Sequence, residues 1–177
     1  CIRDRMQTDL DDGVTFLVEQ GLADPHRVCM VGASYGGYAA LAAGAFSPGM
    51  YKCVAAIAPV TDLPRKIRTA KSRRGSDDWT LDYWEGLYGA EVSEKEILRS
   101  ISPVYHAEAF ETPVLLLHGE KDTIVDIDQS RVMDKALRKA KKDVTFIRLK
   151  GEDHWLTQEE TRIETLRAVA AFIEKHL

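Results

Sequence analysis

Hydrophobic and polar positions along the chain alternate between two periods. Leu10, Val14, Leu17 and Val18 recur at helical spacing, and Gly21 follows as a stop signal. Beyond an Asp24-Pro25 turn, residues 27–32 read as a short apolar strand of the kind covered on both faces. An alanine-rich helix is predicted over 35–46, then a second buried strand over 53–58 that Pro59 ends. Residues 60–110 are the least regular part: short helices are expected near 79–87 and 94–99, and Ser102-Pro103 reads as a cap with proline in the first turn. A third strand is predicted over 113–118. The helix after it carries Val132, Met133, Ala136, Leu137 and Ala140 on one face, and a fourth strand begins at Val144. Thr157 and Glu160 have capping-box spacing, opening a last helix expected to bury Leu166, Val169, Ala170, Ile173 and Leu177.

Apolar strands alternating with helices predict an α/β fold: a mainly parallel sheet, helices on both faces, right-handed crossovers. At 177 residues the chain can bury one sizeable core. A net charge of −4 offers no broad basic surface, so no nucleic-acid partner is expected. The basic runs at 71–74 and 139–142 read as solvated faces. No apolar stretch is long enough to span a bilayer, so no membrane partner is expected. No signal peptide is visible, which points to the cytoplasm. The start at Cys1, without methionine, leaves a periplasmic or secreted location open and suggests that chain is missing ahead of it. Three cysteines give no disulfide framework, and Cys29 and Cys53 are expected as buried free thiols.

Gly32-Ala33-Ser34-Tyr35-Gly36 fits G-x-S-x-G between a predicted strand and a predicted helix, the context the nucleophile elbow requires. A tight turn there lifts the serine hydroxyl above the sheet edge, and glycine is expected at 32 and 36 because side chains there would clash. The helix N-terminus behind Ser34 can stabilise an oxyanion, the Tyr35 backbone N–H being one donor. The motif points to the α/β-hydrolase fold, here with about four parallel strands flanked by helices.

A nucleophilic serine needs a base, and the base needs an orienting acid. In this fold both follow the serine, at the C-terminal ends of later strands. Asp122 lies in the turn leaving the third strand, whereas Asp126 and Asp128 sit nearer the next helix, where an aspartate is often a cap. His154 lies in the loop after the fourth strand, and Asp153 reads as a surface acid. His26, His106 and His176 fall on the wrong elements, and His118 is expected to be a strand-end histidine held by backbone bonds. Ser34, Asp122 and His154 are therefore the candidate nucleophile, acid and base of an acyl transfer. That chemistry needs no metal or other cofactor, and no ligand cluster at zinc spacing is seen.

Residues 31–41 (VGASYGGYAAL), 56–63 (AIAPVTDL), 118–125 (HGEKDTIV) and 151–156 (GEDHWL) together resemble the prolyl oligopeptidase family of serine peptidases. The resemblance covers nearly the whole chain. It implies that residues 1–177 are part of a peptidase catalytic domain acting on short peptides, the C-terminal half of the α/β-hydrolase fold, with further strands and a β-propeller ahead of it. The positions matching Tyr35, Val60, Leu63 and Val125 would line an apolar pocket for the residue before the scissile bond. The dipeptidyl-peptidase branch has an aromatic in place of Leu63 and Asn in place of Ile124, so the acylaminoacyl-peptidase and broad-specificity branches are nearer. The family's second oxyanion donor, a tyrosine hydroxyl, would lie upstream. Losing one such donor costs on the order of 3 kcal/mol, so the 177-residue chain alone is expected to be slow or inactive. Strand 28–32 would lack a neighbour on one side, and self-association or pairing with the missing part is expected there. An esterase or lipase-like hydrolase, and a non-catalytic module on the same fold, remain alternatives.

Overall fold

The computed structural model describes residues 2–74 and 95–177. The helix expected near 79–87 lies outside them. The elements run α1 (Ile2–Glu19), β1 (Cys29–Ala33), α2 (Tyr35–Phe46), β2 (Cys53–Ile57), α3 (Leu63–Arg74), α4 (Lys95–Ser100), a 3₁₀ segment (Pro103–Ala109), β3 (Val114–Gly119), α5 (Asp128–Lys139), β4 (Val144–Leu149) and α6 (Glu159–His176). The four strands form one parallel sheet in the order β1-β2-β3-β4.

Alternation along the strands divides the core. Val54, Ala56, Val114 and Leu116 face α2, α5 and Phe110; Ala55, Leu115 and Leu117 face Ala168, Val169 and Phe172 of α6. Burial on both faces is why β2 and β3 read as unbroken apolar runs. β1 differs. It is an edge strand, and Val31 is 42% exposed.

Four expectations need correction. Residues 63–74 form α3, with Pro64 in its first turn, where the missing amide costs no hydrogen bond. The last helix starts at Glu159, not at Thr157, and the Thr157 hydroxyl turns to Glu152 and Asp153. Its inner face is Thr161, Thr165, Ala168, Val169 and Phe172, while Leu166 is 70% exposed and Ala170 and Leu177 are also exposed. On α1, Leu10 and Leu17 are likewise exposed. α1 is instead tied down by Asp11, which accepts hydrogen bonds from Ser47 Oγ at 2.6 Å and Tyr51 Oη at 2.8 Å. Burial and that carboxylate hold the Tyr51 phenol above its ordinary pKa.

The fourth correction is covalent. Cys29 and Cys53 face each other across the β1–β2 ladder, Cα atoms 4.7 Å apart, and are joined by a disulfide. An odd cysteine count hid a single pair, which only strand register brings together. The link closes a segment of sequence separation 24, so it removes loop entropy from the unfolded chain worth about 3 kcal/mol. Cys29 and Cys53 are expected to resist alkylation until reduced. Reduction should lower the free energy of unfolding in urea by about that amount. A urea midpoint indifferent to reductant would contradict it.

Candidate active site

Ser34 follows β1 directly, Asp122 lies three residues beyond the end of β3, and His154 five beyond the end of β4. Because the strands are parallel, all three positions lie at one edge of the sheet, where open α/β sheets gather ligands. His154 Nε2 lies 3.0 Å from Ser34 Oγ, and His154 Nδ1 lies 2.7 Å from Asp122 Oδ2. A hydroxyl, an imidazole and a carboxylate are thus joined in one hydrogen-bonded line, the connectivity that proton transfer from a serine requires.

Ser34 has φ 55° and ψ −116°, a left-handed backbone unusual for serine. Its N–H continues the ladder to Ile57 O at 2.8 Å, which holds the turn in place. A Cβ on Gly32 would lie 2.1 Å from Gly36 O, so only glycine fits there. The matching expectation for Gly36 fails: a Cβ at that position meets nothing within 4 Å, so Gly36 crowds Gly32 through its backbone and not through a side-chain position of its own. Tyr35 begins α2, which puts its backbone N–H in the first turn behind Ser34.

Asp122 has no side-chain exposure. Oδ1 accepts the N–H groups of Ile124 at 2.9 Å and Val125 at 2.8 Å. Oδ2 faces two imidazoles, His154 Nδ1 and, at 3.3 Å, His118 Nε2. Burial alone pushes this carboxyl up. The hydrogen bonds from His118, His154 and Val125, with the charge of His154, outweigh burial and hold it well below the usual carboxylate range. The expectation for His118 therefore needs amending, since it binds Val125 O but also Ser130 and the acid itself. Asp126 sits at the start of α5 and accepts the Asp128 N–H.

The loop that carries His154 is built around Glu152, a residue sequence reasoning missed. Fully buried, it accepts the N–H groups of Asp153, Thr157 and Gln158 and the Thr161 hydroxyl. Burial raises this carboxyl, and those hydrogen bonds bring it below its ordinary pKa. Gly119 seals the loop to β3: a Cβ there would lie 2.5 Å from Glu152 O and 2.7 Å from Asp153 O. A glutamate followed within nine residues by several hydrogen-bond donors was the signal available in the sequence.

The expected pocket residues gather into one apolar cluster. Val60, Leu63 and Val125 are at most 2% exposed and pack on one another with Tyr38, Leu98 and Ile101; Tyr35 packs at the margin. Apolar side chains at a crowded sheet edge gain more from mutual burial than from facing water. Among the described residues, an open cavity of about 270 Å³ lies between Met6, Gln7 and Leu10 of α1 and Tyr35, Gly36, Tyr38 and Ala39 of α2. Among the described residues no group of three or more His, Cys, Asp or Glu could hold a metal ion, and no helix is long and apolar enough to cross a membrane.

A model of the prolyl oligopeptidase family matches residues 3–177. The chain belongs to that family. It is 27% identical to dipeptidyl peptidase family member 6 of Caenorhabditis elegans, over 98% of this chain and 23% of that protein. A puromycin-hydrolyzing peptidase of Mycobacterium tuberculosis superposes with a TM-score of 0.84 at 30% identity, over 93% of this chain and 24% of that one. An acylaminoacyl peptidase solved in complex with Z-Gly-Gly-Phe-chloromethyl ketone superposes with a TM-score of 0.78 at 25% identity, over 92% of this chain and 26% of that one. These solved peptidases share the α/β-hydrolase fold. The chain spans about a quarter of the length of the relatives it matches.

Glu152 links pH to stability. Its native pKa is lowered, so its contribution is fully present above the ordinary glutamate value and is lost as pH falls through the native one. Glu152→Gln turns an amide NH₂ toward N–H donors and should cost about 2 kcal/mol at pH 7. Denaturation curves of variant and wild type should converge on acidification. An equal difference at neutral and acid pH would refute the assignment.

Proposed function

We propose that this chain carries the catalytic machinery of a serine peptidase that cleaves short peptides through an acyl-enzyme. Ser34 attacks the carbonyl, His154 takes its proton and returns it to the leaving amine, and Asp122 holds the imidazole tautomer and stabilises the imidazolium. The Tyr35 backbone N–H donates to the oxyanion. The single observation that carries this reading is the continuous line from Ser34 Oγ through His154 to Asp122 Oδ2, at 3.0 and 2.7 Å. Family membership favours peptides over esters as substrate. The residue before the scissile bond lies against Tyr35, with Val60, Leu63 and Val125 backing that wall, which favours an apolar side chain there.

Two further readings belong with this one. The outer edge of β1, with Val31 exposed, supports pairing with another copy or with a further segment of the same protein. The Cys29–Cys53 bridge favours an oxidising compartment, periplasmic or extracellular, over the cytoplasm.

A fluorophosphonate should label the intact protein at Ser34, and Ser34→Ala should abolish both labelling and peptide hydrolysis. Asp122→Asn, which keeps the shape and disturbs the tautomer, should lower kcat by roughly 10⁴. Hydrolysis that survives Ser34→Ala would sink the reading.

A further inference from the structure

His118 is a buried titratable group that the proposed mechanism leaves unused. It lies at the end of β3 with no exposure. Its Nε2 faces two atoms that can only accept, Val125 O at 2.9 Å and the Asp122 carboxylate at 3.3 Å. The proton must therefore sit on Nε2. In the neutral ring that makes Nδ1 an acceptor, and the Ser130 hydroxyl of α5 donates to it across 2.7 Å. Ser130 is itself fully buried, so its hydroxyl has no water to turn to. The Asp122 atom that His118 touches, Oδ2, is also the atom that His154 uses.

We propose that His118 is a positioning residue for the acid: with Ser130 fixing its tautomer, it holds Asp122 Oδ2 in line with His154 Nδ1. The inference rests on the serine-hydrolase reading and adds a second arm, Ser130–His118–Asp122, to the Ser34–His154–Asp122 line. Two effects follow, and they can be separated. Without the Nε2–H that Val125 O and Oδ2 share, Oδ2 keeps only His154 as partner while the amides of Ile124 and Val125 hold Oδ1, so the carboxylate sits less firmly in line and transfer through His154 slows. Asp122 Oδ2 also keeps more of its negative charge for His154, which favours the imidazolium and moves the acid limb of the rate profile to higher pH. A side chain that merely filled space would produce neither in a folded variant. Of the groups His118 touches, Asp122 carries the charge; Ser130 and the Val125 carbonyl are neutral.

The test is the second-order rate of fluorophosphonate labelling of the intact protein across pH 5–9, with thermal unfolding of each variant alongside. His118→Leu should slow labelling on the order of 10–100-fold, the range seen when a partner that orients a functional side chain is removed. Its acid limb should rise by roughly half a unit. His118→Gln, whose amide can donate from near the Nε2 position, should recover part of the rate and return the limb toward wild type. Ser130→Ala removes a small group and keeps the fold accessible if His118→Leu does not fold; it should slow labelling roughly 3–10-fold, the value of one neutral hydrogen bond. A wild-type rate in either folded variant overturns the proposal. So does a slower rate that tracks lost thermal stability while the acid limb stays in place. Ser34→Ala separates this outcome from failure of the underlying reading: labelling that persists there removes the nucleophile itself, whatever His118 does.

Discussion

A carboxylate with no exposed surface is tolerable only if donors surround it, because an uncompensated buried charge costs several kcal/mol. Asp122 is in that position, and the functional edge of the sheet is organised by the way its demand is met. Two donors are local, the amides of Ile124 and Val125 in its own turn. The other two are imidazoles supplied by the strand end of β3 and by the loop beyond β4. No one element could satisfy the group. The acid thus acts as a knot that requires the β3 turn, the start of α5 and the base loop to be in register before it can be buried at all.

The same requirement explains why a loop carrying a functional histidine is so well tied. Glu152 takes the amides of Thr157 and Gln158 just ahead of α6 and the Thr161 hydroxyl inside its first turn, so the loop and the helix share one anchor. Lys121 N donates to Glu152 O at 2.8 Å, and Glu120 N to Leu149 O at 3.0 Å, which stitches the acid turn to the base loop backbone to backbone. Gly119 lets the two chains come that close. Asp122 and His154 are therefore presented by one composite structure, and a shift of either turn would break both sets of bonds.

How much of this was legible in the sequence depended on the range of the interaction. The elbow at Ser34 and the helix Tyr35–Phe46 were readable because a strand, a G-x-S-x-G turn and an alanine run are local signals. β2 and β3 were readable because burial on both faces leaves an unbroken apolar run. The candidate acid and base could be picked out by strand order alone. α3 was missed because its sequence is strongly polar and its first turn carries a proline. The outward side of α6 was misjudged because leucine at 166 and alanine at 170 mimic a core stripe, while threonines at 161 and 165 hold the true inner face. The disulfide and the His118–Asp122 contact depend on strand register and loop return, which no local pattern encodes.

The elbow completes the argument from strain. A serine held at φ 55° costs of order 1–3 kcal/mol and persists only where its surroundings leave no alternative. Here those surroundings are specific: the ladder bond from Ser34 to Ile57, the Gly32–Gly36 contact, and Gly37 packed against Pro59. Each lies on β1, β2 or the first turn of α2, so the strain is carried by the β1–β2 pair. The Cys29–Cys53 bridge staples that same pair at its opposite end, and among the described residues β1 pairs only with β2. An edge strand that bears the strained nucleophile turn is the element most exposed to fraying, and it is the one the chain fastens covalently.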